Sequence, residues 1–126
     1  MTATKPDKRV KLTEAQVTEQ CTTLLRIRGF EPVRLNSALV TRSDGGRYRV
    51  GTPGIPDFVV LRPMDPGESE CFWMEVKAPG KKPNPKQDAY HEHLRNAGFL
   101  VAVIDSLDAM VAFLDANYGR LVRRKA

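Results

Sequence analysis

The chain has 126 residues, 41% hydrophobic and 28% charged, with a formal net charge of +5. That length supports one modest core and excludes a second domain, and no apolar run approaches the roughly 20 residues of a membrane-spanning helix. Two cysteines, Cys21 and Cys71, cannot build a disulfide framework or a four-ligand zinc site unaided, and the first residues hold no apolar stretch of signal-peptide type, so a reduced, cytoplasmic protein is expected.

Thr13 is placed to cap a helix over residues 14–28, in which Val17, Cys21, Leu24 and Leu25 fall on one stripe and Gly29 ends the run. Residues 30–35 read as a strand, with Phe30, Val33 and Leu35 apolar. Segments 39–42 and 47–50 flank Ser43-Asp44-Gly45-Gly46, good hairpin chemistry because glycine tolerates positive φ. Gly51-Thr52-Pro53-Gly54-Ile55-Pro56 is a rigid turn that delivers Asp57 into residues 58–61, an unbroken apolar run expected to be a strand buried on both faces. After a polar loop comes a strand over 70–77. The proline-rich segment 79–85 leads into a helix over 86–97, closed by Gly98, and then a buried strand over 99–104. Ser106 caps a last helix with Leu107, Met110, Val111 and Leu114 on one face. The order α-β-β-β-β-β-α-β-α, with a helix crossing between two late strands, predicts an α/β fold with a central mixed sheet flanked by helices. The single domain is expected over residues 13–119, between a basic flexible N-terminal tail (1–12) and a basic C-terminal tail (120–126).

The tails carry more than the whole net charge, so the body between them is slightly acidic and the basic balance alone is weak evidence for a polyanionic partner. Within the body, Arg34, Arg42, Arg47 and Arg49 surround the predicted hairpin, and Lys77, Lys81, Lys82 and Lys86 crowd one short segment. Such clusters suit a polyanion gripped in one place; scattered solubility charges are the competing reading.

In the strand over 70–77, period two places Phe72, Met74 and Val76 on one face and Trp73, Glu75 and Lys77 on the other. Burying a lone charge costs several kcal/mol, so Glu75 and Lys77 need a partner or a metal. Asp57, at the mouth of the preceding strand, is the natural companion. Two carboxylates with a lysine beside them can hold a hard divalent cation such as magnesium. A plain Glu75–Lys77 pair on an exposed sheet face explains the same spacing. In the following helix, Gln87, Tyr90, His91, Leu94 and Ala97 share a stripe that faces the sheet through Tyr90 and Leu94. Gln87 there is either a cap-like structural residue or a bridge to the site. His91 and His93 point about 200° apart and cannot share a metal; His91 reads as a packing residue and His93 as solvent-facing.

Gly54-Ile55-Pro56-Asp57, then Glu75-Val76-Lys77, then Gln87 resembles the PD-(D/E)xK nuclease superfamily, and most closely its compact, stand-alone VRR-NUC domains of phages and bacteria. The likeness runs from about Thr13 to Leu114. It takes in Leu24-Leu25-Arg26-Ile27-Arg28-Gly29 with Arg34-Leu35-Asn36-Ser37, the Gly80-Lys81-Lys82-Pro83-Asn84-Pro85-Lys86-Gln87 lead-in, and Ala97-Gly98-Phe99 before the last strand. The resemblance implies a restriction-endonuclease-like core and a Mg2+-dependent DNA endonuclease, with Mn2+ able to substitute and no organic cofactor. In-line hydrolysis would leave 5′-phosphate and 3′-hydroxyl ends. Asp57, Glu75 and the Val76 carbonyl would ligate the metal, Lys77 would be the catalytic lysine, and Gln87 would support the site. The family also places a glutamate on the first helix: Glu14, on the side of Val17, Cys21 and Leu25, is favoured over Glu19. Arg42, Arg47, Arg49, Lys81, Lys82 and Lys86 would contact DNA phosphates. By fold analogy the substrate would be branched DNA such as a four-way junction, cut by a homodimer in the cytoplasm of a bacterial or phage-infected cell, with no membrane partner. The alternatives are a non-catalytic DNA-binding module and a nuclease subunit activated by a partner in a phage replication, repair or packaging complex.

Overall fold

A computed structural model describes residues 11–35 and 38–119; within the hairpin, residues 38–40, 49 and 50 are described by their backbone alone. The expected basic tails lie outside the described residues, save Lys11 and Leu12, and so do Asn36 and Ser37. The elements run α1 (Glu14–Ile27), β1 (Glu31–Arg34), β2 (Ala38–Thr41), β3 (Arg47–Val50), β4 (Phe58–Arg62), β5 (Glu70–Val76), α2 (Pro85–Asn96), β6 (Val101–Ile104) and α3 (Leu107–Tyr118). No helix among the described residues is long and apolar enough to cross a membrane.

Helix α1 starts at a reciprocal cap. Thr13 Oγ1 accepts the Gln16 N–H at 3.1 Å, and Gln16 Oε1 accepts the Thr13 N–H at 2.9 Å, so orphan donors of the first turn are satisfied. Its stripe then buries Val17, Cys21 and Leu25 completely. Burial pushes the Cys21 thiol up to about 11, which makes it a small core residue and an inert one.

Four strands form a mixed sheet in the order β1-β4-β5-β6. β4 is antiparallel to β1 and β5, and β6 is parallel to β5, a pairing that requires the crossover through α2. β2 and β3 form a separate two-stranded hairpin. One face of the main sheet presents Phe58, Val60, Phe72, Met74, Val76, Ala102 and Ile104, and buries them against α1 and against Met110 and Leu114 of α3. Phe72 lies at the centre of this layer, edge-on to Phe30 at 6.0 Å and tilted against Phe113 at 4.9 Å.

The opposite face carries Val59, Leu61, Trp73, Glu75 and Val103, and α2 lies over it, seating His91 and Leu94. This corrects the expectation that residues 58–61 are buried on both faces: Leu61 is 37% exposed and Val59 half-buried. An apolar run cannot distinguish two covered faces from one, and β4, antiparallel to both neighbours, needs only one covered face. The buried strand expected over 99–104 is likewise shorter. Phe99 and Leu100 precede β6, both 40% exposed, and Phe99 stands edge-on to Trp73 at 5.9 Å.

Phe72→Ala is expected to destabilise the chain by about 3–5 kcal/mol, the usual cost of emptying an aromatic core position. A lowered denaturant midpoint with an unchanged slope is the measurement that checks it.

Candidate active site

The site is built where β4 starts and β5 ends. The antiparallel register pairs Phe58 with Met74, and one step further it sets Asp57 across from Glu75. Directly opposed residues share a face, with Cβ atoms about 5 Å apart. Asp57 is held from both sides. Its carbonyl accepts the Leu35 N–H at 2.7 Å, extending the β1 pairing, and its Oδ2 accepts the Val76 N–H at 2.8 Å. The aspartate side chain thus takes the β5 donor that a longer β4 would have paired, which fixes its direction.

The turn before Asp57 is set by a close approach. Gly54 has φ +80°, and a Cβ there would collide with the Lys86 carbonyl oxygen and lie 2.8 Å from the Lys86 carbonyl carbon and 3.3 Å from the Gln87 nitrogen. A left-handed backbone conformation pressed against a helix backbone admits glycine alone. This contact joins the Asp57 turn to the first turn of α2. The two border a polar cleft of about 190 Å³ that includes Asp57, Asn84, Lys86 and Gln87.

Helix α2 begins with Pro85 behind an Asn84 cap: Asn84 Oδ1 accepts the Gln87 N–H, and Gln87 Oε1 accepts the Asn84 N–H, each at 2.9 Å. The same Gln87 side chain donates Nε2–H to Glu75 Oε2 at 3.3 Å. Gln87 thus caps its helix and donates to Glu75 at once. One turn on, His91 Nε2 lies 3.3 Å from Glu75 Oε1. Reading His91 as a packing residue captured its burial but missed this partner; the signal was its i+4 relation to Gln87, which puts both side chains over β5. Tyr90 is only half-buried and stands edge-on to the exposed His93 at 5.6 Å.

Glu75 is 1% exposed, and this burial holds its carboxyl above the ordinary range. The His91 hydrogen bond pulls the other way, the neighbouring Asp57 charge and hydrogen bond raise it further, and Lys77 lowers it. Two carboxylates with incomplete compensation and oxygen-only donors fit a hard divalent cation such as Mg2+. Among the described residues no group of three or more His, Cys, Asp or Glu is arranged around one metal position.

The structure brings together Asp57, Glu75, Gln87 and, by its charge, Lys77, whose backbone N–H is bonded to the Ile104 carbonyl at 2.8 Å. Glu14 is the first residue of α1 and is exposed, ahead of the point where the stripe enters the core at Val17; Glu19 is exposed as well. Lys81, Lys82 and Lys86 are exposed around the mouth of α2, Lys86 on the cleft itself. Arg42 and Arg47 are exposed on the hairpin, Arg42 3.6 Å from Asp44, while the Arg49 side chain lies outside the described residues.

The VRR-NUC domain family matches residues 11–108. This chain belongs to that family. A relative named "Putative nuclease p44", from Acyrthosiphon pisum secondary endosymbiont phage 1, is 40% identical over 72 residues, covering 55% of this VRR-NUC chain and 73% of that protein.

Two outcomes follow from this geometry. Because the folded state raises the Glu75 pKa, ionising it opposes folding; Glu75→Gln should therefore raise the melting temperature of the metal-free protein at pH 7. The advantage should vanish once the pH falls below the ordinary carboxylate range, where folded and unfolded states both carry a neutral acid; circular-dichroism melts in EDTA at about pH 7 and about pH 3 compare the two. Gly54→Ala should destabilise by at least about 1 kcal/mol through backbone strain alone, before the collision with α2 is added, measured by denaturant titration.

Proposed function

We propose that this chain is a divalent-metal-dependent DNA endonuclease with a restriction-endonuclease-like core. The observation that carries the reading is the placement of Asp57 across from Glu75, with the Lys77 charge felt at the same carboxylate. Membership of the VRR-NUC family and the name of the phage relative support nuclease chemistry.

In this reading Asp57, Glu75 and the Val76 carbonyl would hold Mg2+, or Mn2+ in its place. Such a cation would supply charge neutralisation at the scissile phosphate and a water activated near neutral pH. Asp57 is oriented by the Val76 N–H, and Glu75 by the α2 side chains. The Lys77 ammonium orients the attacking water or stabilises the negative charge that develops on the phosphate oxygens. Exposed Lys81, Lys82 and Lys86 bind neighbouring backbone phosphates, with Arg42, Arg47 and Arg49 contributing from the hairpin. Such contacts grip without reading sequence. One site per chain cuts one strand, so paired cuts on a branched substrate such as a four-way junction would be made by a two-fold dimer.

A supercoiled plasmid and a panel of single-stranded, duplex, flap and four-way-junction DNAs, incubated with Mg2+ or Mn2+, test this. Wild type should nick. Asp57→Ala and Lys77→Ala should each lose at least about 100-fold in rate, the usual scale for a charge-stabilising group, with unchanged circular dichroism. Junction binding without cleavage would select a DNA-binding module instead, and cleavage confined to mixtures with a partner protein would select a recruited subunit.

A further inference from the structure

Glu75 has no solvent to orient it. It is 1% exposed, as is His91 beside it, so its carboxylate plane is set by whatever donors the protein supplies. Both oxygens are met from one helix: Oε2 by Gln87 Nε2 and Oε1 by His91 Nε2, each at 3.3 Å. A single donor leaves a carboxylate free to swing about its last bond; donors on both oxygens fix its plane. The helix that supplies them is tied to the Asp57 turn by the Gly54 contact. Gln87 is in turn held by its bond to the Asn84 backbone.

We infer that His91 is a positioning residue for the metal site. With its proton on Nε2 it donates to Glu75 Oε1 and holds that carboxylate in the orientation that faces Asp57. This is the tautomer that a cation-ligating, ionised Glu75 would require, since an ionised carboxylate only accepts hydrogen bonds. The inference rests on the reading of Asp57 and Glu75 as cation ligands. In this role the imidazole would touch neither the cation nor the substrate.

The test is Mn2+ binding to the full chain, followed by electron paramagnetic resonance and calorimetry, with no DNA present. His91→Leu, similar in bulk but unable to donate, should weaken Mn2+ at least about 10-fold, the lower end of what loss of a ligand-orienting hydrogen bond costs. His91→Gln, whose Nε2 can stand where the imidazole Nε2 stood, should restore most of that loss. In a Glu75→Gln background, His91→Leu should weaken binding no further. A purely structural role predicts the opposite: equal loss of melting temperature in both variants and no rescue of affinity. A folded His91→Leu that binds Mn2+ like wild type overturns the role of His91 alone. Wild type that binds no Mn2+ overturns the metal reading and this inference with it. Should His91→Leu not fold, imidazole 15N resonances of the wild-type chain decide. The His91 signals should show the Nε2–H tautomer and shift on Mg2+ saturation, and signals that do not move overturn the proposal.

Discussion

Two carboxylates that would repel each other are forced side by side by the register of a sheet. Like charges opposed across an antiparallel pair are destabilising, and here one of them is also withdrawn from water. The core makes the arrangement unavoidable. Phe58 and Val60 pack against the same α1 and α3 layer as Phe72 and Met74, so β4 and β5 cannot slip by one residue without turning every core side chain outward. The apolar layer beneath thus sets the spacing of the acids above.

The helix that crosses from β5 to β6 answers that charge problem in part. Gln87 donates to one oxygen of Glu75 and His91 Nε2 stands within hydrogen-bond distance of the other, while the first turn of α2 receives the Asp57 turn through the missing side chain of Gly54. One element therefore caps itself, covers the second sheet face and fixes the environment of both acids. The bridging amide of Gln87 is shared between the cap and Glu75, which couples the start of the helix to the site.

Much of this was legible in the chain. The stripe Val17, Cys21, Leu25, the alternation through Phe72, Met74 and Val76, and the capping residues Thr13 and Ser106 are local patterns, and local patterns survive folding intact. The pairing of Asp57 with Glu75 was anticipated because one ends a turn and the other has two apolar neighbours that must face the core. Three features were not visible in this way. Leu61 and Val103 are apolar yet partly exposed, because α2 does not cover the whole second face. Glu14 is exposed at the first residue of its helix, and periodicity reports angle without reporting position along the axis. His91 looked like filler because its partner is 16 positions away in sequence.

What the sequence determined by itself is the set of elements, the core-facing side of α1 and β5 and the candidate carboxylates and lysine, since all of these follow from spacing within a single segment. Tertiary structure decided which of those residues meet. Strand register set Asp57 across from Glu75, and the seating of α2 brought Gln87 and His91 to the two oxygens of Glu75. Each depends on contacts between distant segments, and the free energy that selects them comes from packing side chains no single segment contains.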